Sequence, residues 1–384
     1  MPKSNLHLRR MHIVVNSIYP HGYHPDNATF VEDLFGYLCS RYPEHHYYFL
    51  VNHSINHHYP SAANATVLPI DYSVNNFAKL KIWETIKLPL ILKKLQATVL
   101  VQPFGLSSVT TKVPQVLFVS DLIWLQQPKL FPASIRLYHR LFAKKGIHKA
   151  AQIVTFSQSI QQQLIHQYPA ISNKVIAIGG AVSALFQHAS YELKQQTKDG
   201  YADGRSYFLF LGGNNPSKNL VGVLKAFSSF KRWQKSNMKL LISGTITLQK
   251  DDVLKKISSY KYKDDVVVLQ GLSPEQLASV TAAAFALIAP YLYEESTLDL
   301  LAAMQCGVPV IASNLQAMQE LGGDSCLYAS PNEVDEIANH LKQLYRDEQL
   351  QASLKAKGVE QAVAYNWEGT ASTFWDVLVQ ATTS

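Results

Sequence analysis

Cysteine is scarce in this 384-residue chain: three residues, Cys39, Cys306 and Cys326, far apart and odd in number. That pattern gives neither a disulfide framework nor a zinc spacing, so the three read as buried thiols. Charge is sparse too, at 16% against the roughly 25% usual for soluble chains. Yet 47% of the residues are hydrophobic, which excludes intrinsic disorder for most of the length. No apolar run reaches the ~18–20 residues that a membrane span requires. Pro89, Lys93 and Lys94 break the segment around Leu90, and the stretch 282–289 is short. Pro20 and His21 stand where the apolar core of a secretory signal would have to continue, so a cytoplasmic protein is expected and the sequons at Asn27, Asn52 and Asn64 carry no expectation of glycans.

Several chemical signatures are missing as well. There is no GxGxxG after the first apolar run, where only Gly22 occurs, and no GxxxxGK[ST] or GxSxG anywhere. A dinucleotide-binding dehydrogenase, a P-loop enzyme and a nucleophile-elbow hydrolase are therefore disfavoured. Nine of the fourteen histidines precede residue 60. The spacing of His53, His57 and His58 would suit a metal on a helix, but no carboxylate or cysteine accompanies them, and a solvated loop is the stronger reading. No metal is expected.

What is present is a repeat of short apolar runs, each followed by helical periodicity. MHIVVN leads into Phe30, Leu34, Tyr37 and Leu38 at helical spacing, and YYFLVN, ATVLVQ, QVLFVS and QIVTF follow. The polar stretch 187–206 reads as a linker. After it the repeat restarts with YFLFLG, KLLISG, VVVLQG, ALIAP and PVIAS. Near-continuous apolar strands suit parallel sheets covered on both faces, so the fold expected is two parallel α/β domains. In such sheets ligands bind beyond the carboxyl ends of the strands, and with two domains the cleft between them is the natural active site.

Two segments carry candidate chemistry. In LGGNNPSKNLVGVLKAF, Gly212 and Gly213 allow a close turn, Lys218 supplies a point charge, and Asn219 can cap a helix bearing Leu220, Leu224 and Phe227. A strand–helix turn with a solvated lysine explains that segment equally well. In ALIAPYLYEESTLDLLAAMQCGVPVIAS, a buried strand leads through Glu294 and Glu295 to a helix with Ser296 and Asp299 as an expected capping box. The amides of Ser296, Thr297 and Leu298 would present the positive end of that helix to a pyrophosphate, with Glu294 near sugar hydroxyls. The plainer alternative is that both glutamates only complement the helix dipole.

These segments, with MQELGGDSCLYASP, the terminal NWEGTA and the first-half segments VPQVLFVSDLIWL, AAQIVTFSQSIQQQL and KVIAIGGAVSALF, resemble family 4 of the retaining, nucleotide-sugar-dependent glycosyltransferases of GT-B fold. The resemblance covers most of residues 11–378. It implies two Rossmann-like parallel-sheet domains facing a central cleft: 1–186 on the acceptor side, a linker at 187–206, a nucleotide-sugar-binding domain at 207–366, and a C-terminal helix at 367–384 crossing back to the first domain. It further implies a donor site of Gly213, Asn214, Lys218, Glu294, Ser296, Thr297, Leu298 and Asp299. Lys218 would bind the diphosphate and Glu294 the sugar, and Glu320 matches a recurrent glutamate. Glu294, Asp121 and Ser120 would stand at the reacting centre, and Gly22, Lys93 and Lys94 on the acceptor side. The nucleotide sugar is a substrate, so no cofactor is implied.

The chain departs from the family pattern in places. The second glutamate of the usual pair falls at Ala302, the frequent His-Asp reads Ser120-Asp121, and Glu295 and Thr297 replace two loop glycines. Asp299, one turn before Ala302, is the nearest substitute for the ribose contact. These departures favour the alternative of a degenerate, non-catalytic partner or glycan-binding subunit. Charge is uneven: residues 1–184 hold 17 Lys+Arg against 7 Asp+Glu, a net of +10, while 185–384 hold 18 against 21, a net of −3. Lys79, Lys87, Lys93 and Lys94, then Arg136, Arg140, Lys144, Lys145 and Lys149, would meet a lipid-linked acceptor at an anionic membrane, or form ordinary solvated helix faces. No nucleic-acid module accompanies the charge.

Overall fold

The computed structural model describes residues 10–18, 27–52, 59–70, 77–104, 107–131, 133–244 and 257–383. Its first sheet contains β1 (His12–Ser17), β2 (His46–Asn52), β3 (Ala65–Ile70), β4 (Val99–Gln102), β5 (Gln115–Phe118), β6 (Gln152–Thr155) and β7 (Val175–Ala177). They lie in the order β3-β2-β1-β4-β5-β6-β7, and each pairing is parallel. The second sheet contains β8 (Tyr207–Phe210), β9 (Lys239–Ser243), β10 (Val266–Leu269), β11 (Ala286–Ala289), β12 (Val310–Ser313) and β13 (Cys326–Ala329). Its order is β10-β9-β8-β11-β12-β13, again with parallel pairing.

Each apolar run read from the sequence is one of these strands. β8, β9, β11 and β12 are buried throughout, because helices cover both faces. Alternation along β8 sends Tyr207 and Leu209 into one core and Phe208 and Phe210 into the other. Both sheets reverse direction once, between β1 and β4 and between β8 and β11. At such a reversal the outgoing loops diverge and open a crevice at the carboxyl ends of the strands.

The chain divides into two units, Met1–Gly179 with Trp367–Ser384, and Gly180–Asn366. The last helix, Trp367–Thr383, lies in the first unit. There Phe374 sits 5.9 Å from Phe35 and 5.3 Å from Phe118, centroid to centroid, and Trp375 stacks on Tyr42 at 3.8 Å.

The expected linker at 187–206 is instead largely helical. Tyr191–Ala202 is a helix of the second unit, with the Ser190 hydroxyl accepting from the Leu193 amide at its start and Asp203 left-handed at its end. Only Thr197 and Ala202 of it are buried, so its apolar signal is weak, and Gly200 with Gly204 just past its end mimics a turn. The strands absent from the reading are β3, β7 and β13, all at sheet edges. β3 alternates between half-buried and exposed positions and carries Pro69, which an edge tolerates.

Two stretches of the first unit contain a π-helical turn. Phe77–Ile82 passes through Trp83–Lys87 into Leu88–Lys94, and Ala133–Tyr138 passes through His139–Ala143 into Lys144–Lys149. The first has a visible cause. Pro89 has no N–H to give to the carbonyl of Thr85, which accepts from the Thr110 hydroxyl at 3.0 Å instead.

Candidate functional site

The reversal between β8 and β11 brings together the two loops singled out above. After β8, Gly213 takes φ +52° and donates its N–H to the Ser243 carbonyl at 3.0 Å. A Cβ on Gly212 would come within 2.5 Å of the Lys218 Cβ, so only glycine lets the loop close on that lysine. Asn214 follows, half-buried. Asn219 is left-handed and caps the helix Leu220–Trp233 by accepting from the Gly222 amide at 3.1 Å, as its position predicted.

Lys218 is 4% exposed. Its ammonium lies 3.3 Å from Glu295 Oε2, 3.4 Å from Asp299 Oδ2 and 3.8 Å from the centre of the Tyr291 ring. The Tyr291 hydroxyl donates to the same Asp299 oxygen, and burial, followed by the Asp299 charge, holds this phenol well above its usual range. A buried cation therefore sits between two carboxylates over an aromatic face. The Ser217 hydroxyl completes the cluster, donating to Asn215 Oδ1 at 2.9 Å and to Glu295 Oε1 at 3.4 Å.

The helix after β11 is Leu298–Gln305, with Thr297 at its N-cap and no side-chain capping bond. The expected Ser296–Asp299 capping box is therefore not formed, because Asp299 is drawn to Lys218 and Tyr291. Ser296 is buried, and among the described residues its hydroxyl has no hydrogen-bond partner. A buried hydroxyl at a helix start, beside amides that cannot bond within the helix, can donate a hydrogen bond to an anion. Ala302 is buried one turn beyond Asp299.

Glu294 does complement a helix, though not its own. Its two carboxylate oxygens accept from the amides of Gln316 at 2.6 Å and Ala317 at 2.8 Å, at the start of Gln316–Gly322. That fixes the carboxylate on the loop between β11 and the Ser296 helix start. Glu320, in the same helix, is exposed, and its carbonyl accepts from the Tyr365 hydroxyl.

The remaining sequence candidates belong to the first unit. Asp121 Oδ1 accepts from the Ile123 amide at 2.9 Å and Oδ2 from the Ser120 hydroxyl at 3.3 Å, just beyond β5. Lys93 and Lys94 are exposed at the end of Leu88–Lys94. Gly22, His53, His57 and His58 lie outside the described residues. Among those described, no His, Cys, Asp and Glu cluster could hold a metal, and the three cysteines are free and buried. The sequence reading missed Tyr291, and gave Glu295 no partner. The available signal was that both stand within one loop of the strand facing β8, where Lys218 had to find a counter-charge.

Residues 192–361 match the family model described as Glycosyl transferases group 1. The O-antigen chain mannosyltransferase B of Escherichia coli is 28% identical over 243 residues, covering 63% of this chain and 64% of that protein, so the chain spans just under two thirds of that relative. Sucrose-phosphate synthase from Thermosynechococcus elongatus superposes with a TM-score of 0.77 at 16% identity over 97% of this chain and 99% of that one. The Anabaena protein Alr3699/HepE, solved in complex with UDP and glucose, gives 0.75 at 16% identity over 96% and 100%. The chain is thus a two-sheet protein of GT-B fold class whose residues 192–361 match the model of the Glycosyl transferases group 1 family.

Proposed function

We propose that the protein transfers a sugar, with retention, from a nucleotide diphosphate donor to a glycan or lipid-linked acceptor of surface-polysaccharide assembly. The observation that carries this reading is the buried Lys218, paired with the Glu295 and Asp299 that flank a buried Ser296 hydroxyl without a partner among the described residues, at the strand-order reversal of a matched glycosyltransferase domain. A site with its cation and its open hydroxyl in place favours a working donor site over a degenerate one. The E. coli relative's name supports mannose as the first sugar to try, and the complex with UDP supports a nucleoside diphosphate as the leaving group.

In this reading the diphosphate seats on the Ser296–Leu298 amides and the Ser296 hydroxyl, and Lys218 exchanges a carboxylate for a phosphate oxygen. Glu294, already anchored by two amides, accepts hydrogen bonds from sugar hydroxyls. The bond from the anomeric carbon to the diphosphate oxygen breaks while the acceptor oxygen bonds the same face, and the departing phosphate oxygen takes the acceptor proton. The protein supplies position and positive charge rather than a nucleophile. A screen of nucleotide sugars for hydrolysis and thermal stabilisation tests this. Stabilisation by at least one nucleoside diphosphate is expected, and none at millimolar concentration would end the proposal.

A peripheral contact with the inner face of an anionic membrane is a second element of the reading. Ile82, Ile86 and Leu90 are 50%, 58% and 65% exposed on one stripe of the stretch 77–94, beside the exposed Lys87, Lys93 and Lys94. Among the described residues no helix is long and apolar enough to cross a membrane. Co-sedimentation with anionic vesicles should fall steeply with salt and with Lys93→Glu/Lys94→Glu. Salt-independent behaviour would leave this face as solvated charge.

A further inference from the structure

A cavity of about 670 Å³ opens within the first unit, between the loop after β5 and the stretch 133–149. Its wall includes Arg136, Arg140 and Lys144, one per turn, and the rings of Trp124, His139 and Tyr168. Among the described residues, no acidic side chain lines it and none of the three cations is ion-paired. Trp124 and His139 stack at 4.9 Å with 17° between planes, and burial pushes His139 down to about 4, so it adds a neutral ring rather than charge. The opposite side of the same stretch is pinned, since the buried Tyr138 hydroxyl donates to Glu84 Oε2 at 3.4 Å. The cations therefore project from an anchored helix.

We propose that this cavity binds a phosphorylated sugar: the phosphate on Arg136, Arg140 and Lys144, and the sugar ring against Trp124 and Tyr168. Guanidinium forks match phosphate oxygens two at a time, and aromatic faces take the apolar face of a sugar ring. The volume falls within the range of ligand pockets, about 300–1,000 Å³, and suits a monosaccharide phosphate. Leu137, half-exposed, lines the same cavity, and Leu141 is half-exposed one turn on, so the far side of the phosphate ester can be water or a lipid chain. As an acceptor seat the cavity rests on the transferase reading above, but its binding does not.

The probes are mannose 1-phosphate in solution, and vesicles of phosphatidylinositol against phosphatidylserine at equal charge, with mannose as the uncharged control. Binding is measured on the full chain and on Arg136→Gln/Arg140→Gln and Trp124→Ala variants. At least about tenfold weaker binding of the soluble probe by the arginine variant, with nucleoside diphosphate binding unchanged, supports a free sugar phosphate. A preference for phosphatidylinositol lost in the same variant supports a lipid-borne one. Equal binding by variant and wild type, or none of either probe, overturns the site. If arginine-dependent binding persists while no nucleotide sugar is turned over, the transferase reading falls and this site stands.

Discussion

The two units are built alike and finished differently. Both are parallel sheets with one reversal of strand order, and in both the crevice residues come from loops after inner strands. In the second unit the buried charge is matched: Lys218 meets Glu295 and Asp299, and Glu294 meets two amides. In the first unit Glu84 is fully buried with one oxygen lacking a partner among the described residues, and two helical stretches carry π turns. The lesson is that one fold is finished in two ways: the second unit gathers its buried charge at one strand-order reversal, and the first carries exposed basic residues on helices with π turns.

The sharpest way to break that division is Lys218→Ala. Losing a charge-assisted bond of about 1.5–3 kcal/mol should weaken nucleoside diphosphate binding by about 10–100-fold, read by calorimetry. Unchanged affinity would move the phosphate chemistry out of the second unit.

The next effect belongs to the first unit. Burial, opposed by Lys81, raises the Glu84 carboxyl from 4.5 to about 7. The folded state thus binds a proton that the unfolded chain has released, and this group's contribution to stability declines as pH rises from about 4.5 to about 7. His139, held down to about 4 from 6.5, acts oppositely, and its contribution is lost as pH falls through that window. Relative to wild type, Glu84→Gln should gain on the order of 2–3 kcal/mol in unfolding free energy between about pH 5 and about pH 8. A pH-independent difference between the two proteins would show that the carboxyl titrates normally.

Smaller changes sharpen the donor site. Ser296→Ala should weaken diphosphate binding by roughly 3–10-fold without lowering the melting temperature, because the hydroxyl it removes has no partner among the described residues to lose. Melting that falls with unchanged affinity would make Ser296 purely structural. Asp299→Asn separates two roles for Asp299. If this carboxylate competes with phosphate for Lys218, affinity should rise a fewfold, for about 1 kcal/mol at a partly exposed pair. A fall in affinity would restore the ribose contact expected from the sequence.

The inner strands were legible because burial on both faces writes itself as a continuous apolar run. Of the four edge strands, β10 was legible from its valine run, but β3, β7 and β13 were not, since one side of an edge needs no apolar residue. Lys218 and Asn219 could be placed from local grammar, as a turn lysine and a helix cap. Their partners could not: the pairing of Lys218 with Glu295 and Asp299 spans about eighty residues of chain and exists only because β8 and β11 are neighbours. Ser296 and Asp299 show the cost of local reading, for a capping box fits their spacing until a distant cation outbids it.

The return of Trp367–Thr383 to the first unit has a consequence for synthesis. The second unit is complete once residue 366 has left the ribosome, but the first still lacks the helix that sets Phe374 against Phe35 and Phe118. During translation the later half of the chain can therefore mature first, while the earlier half waits with an uncovered apolar face. Chaperone dependence and aggregation should track the first unit, although it emerges earliest.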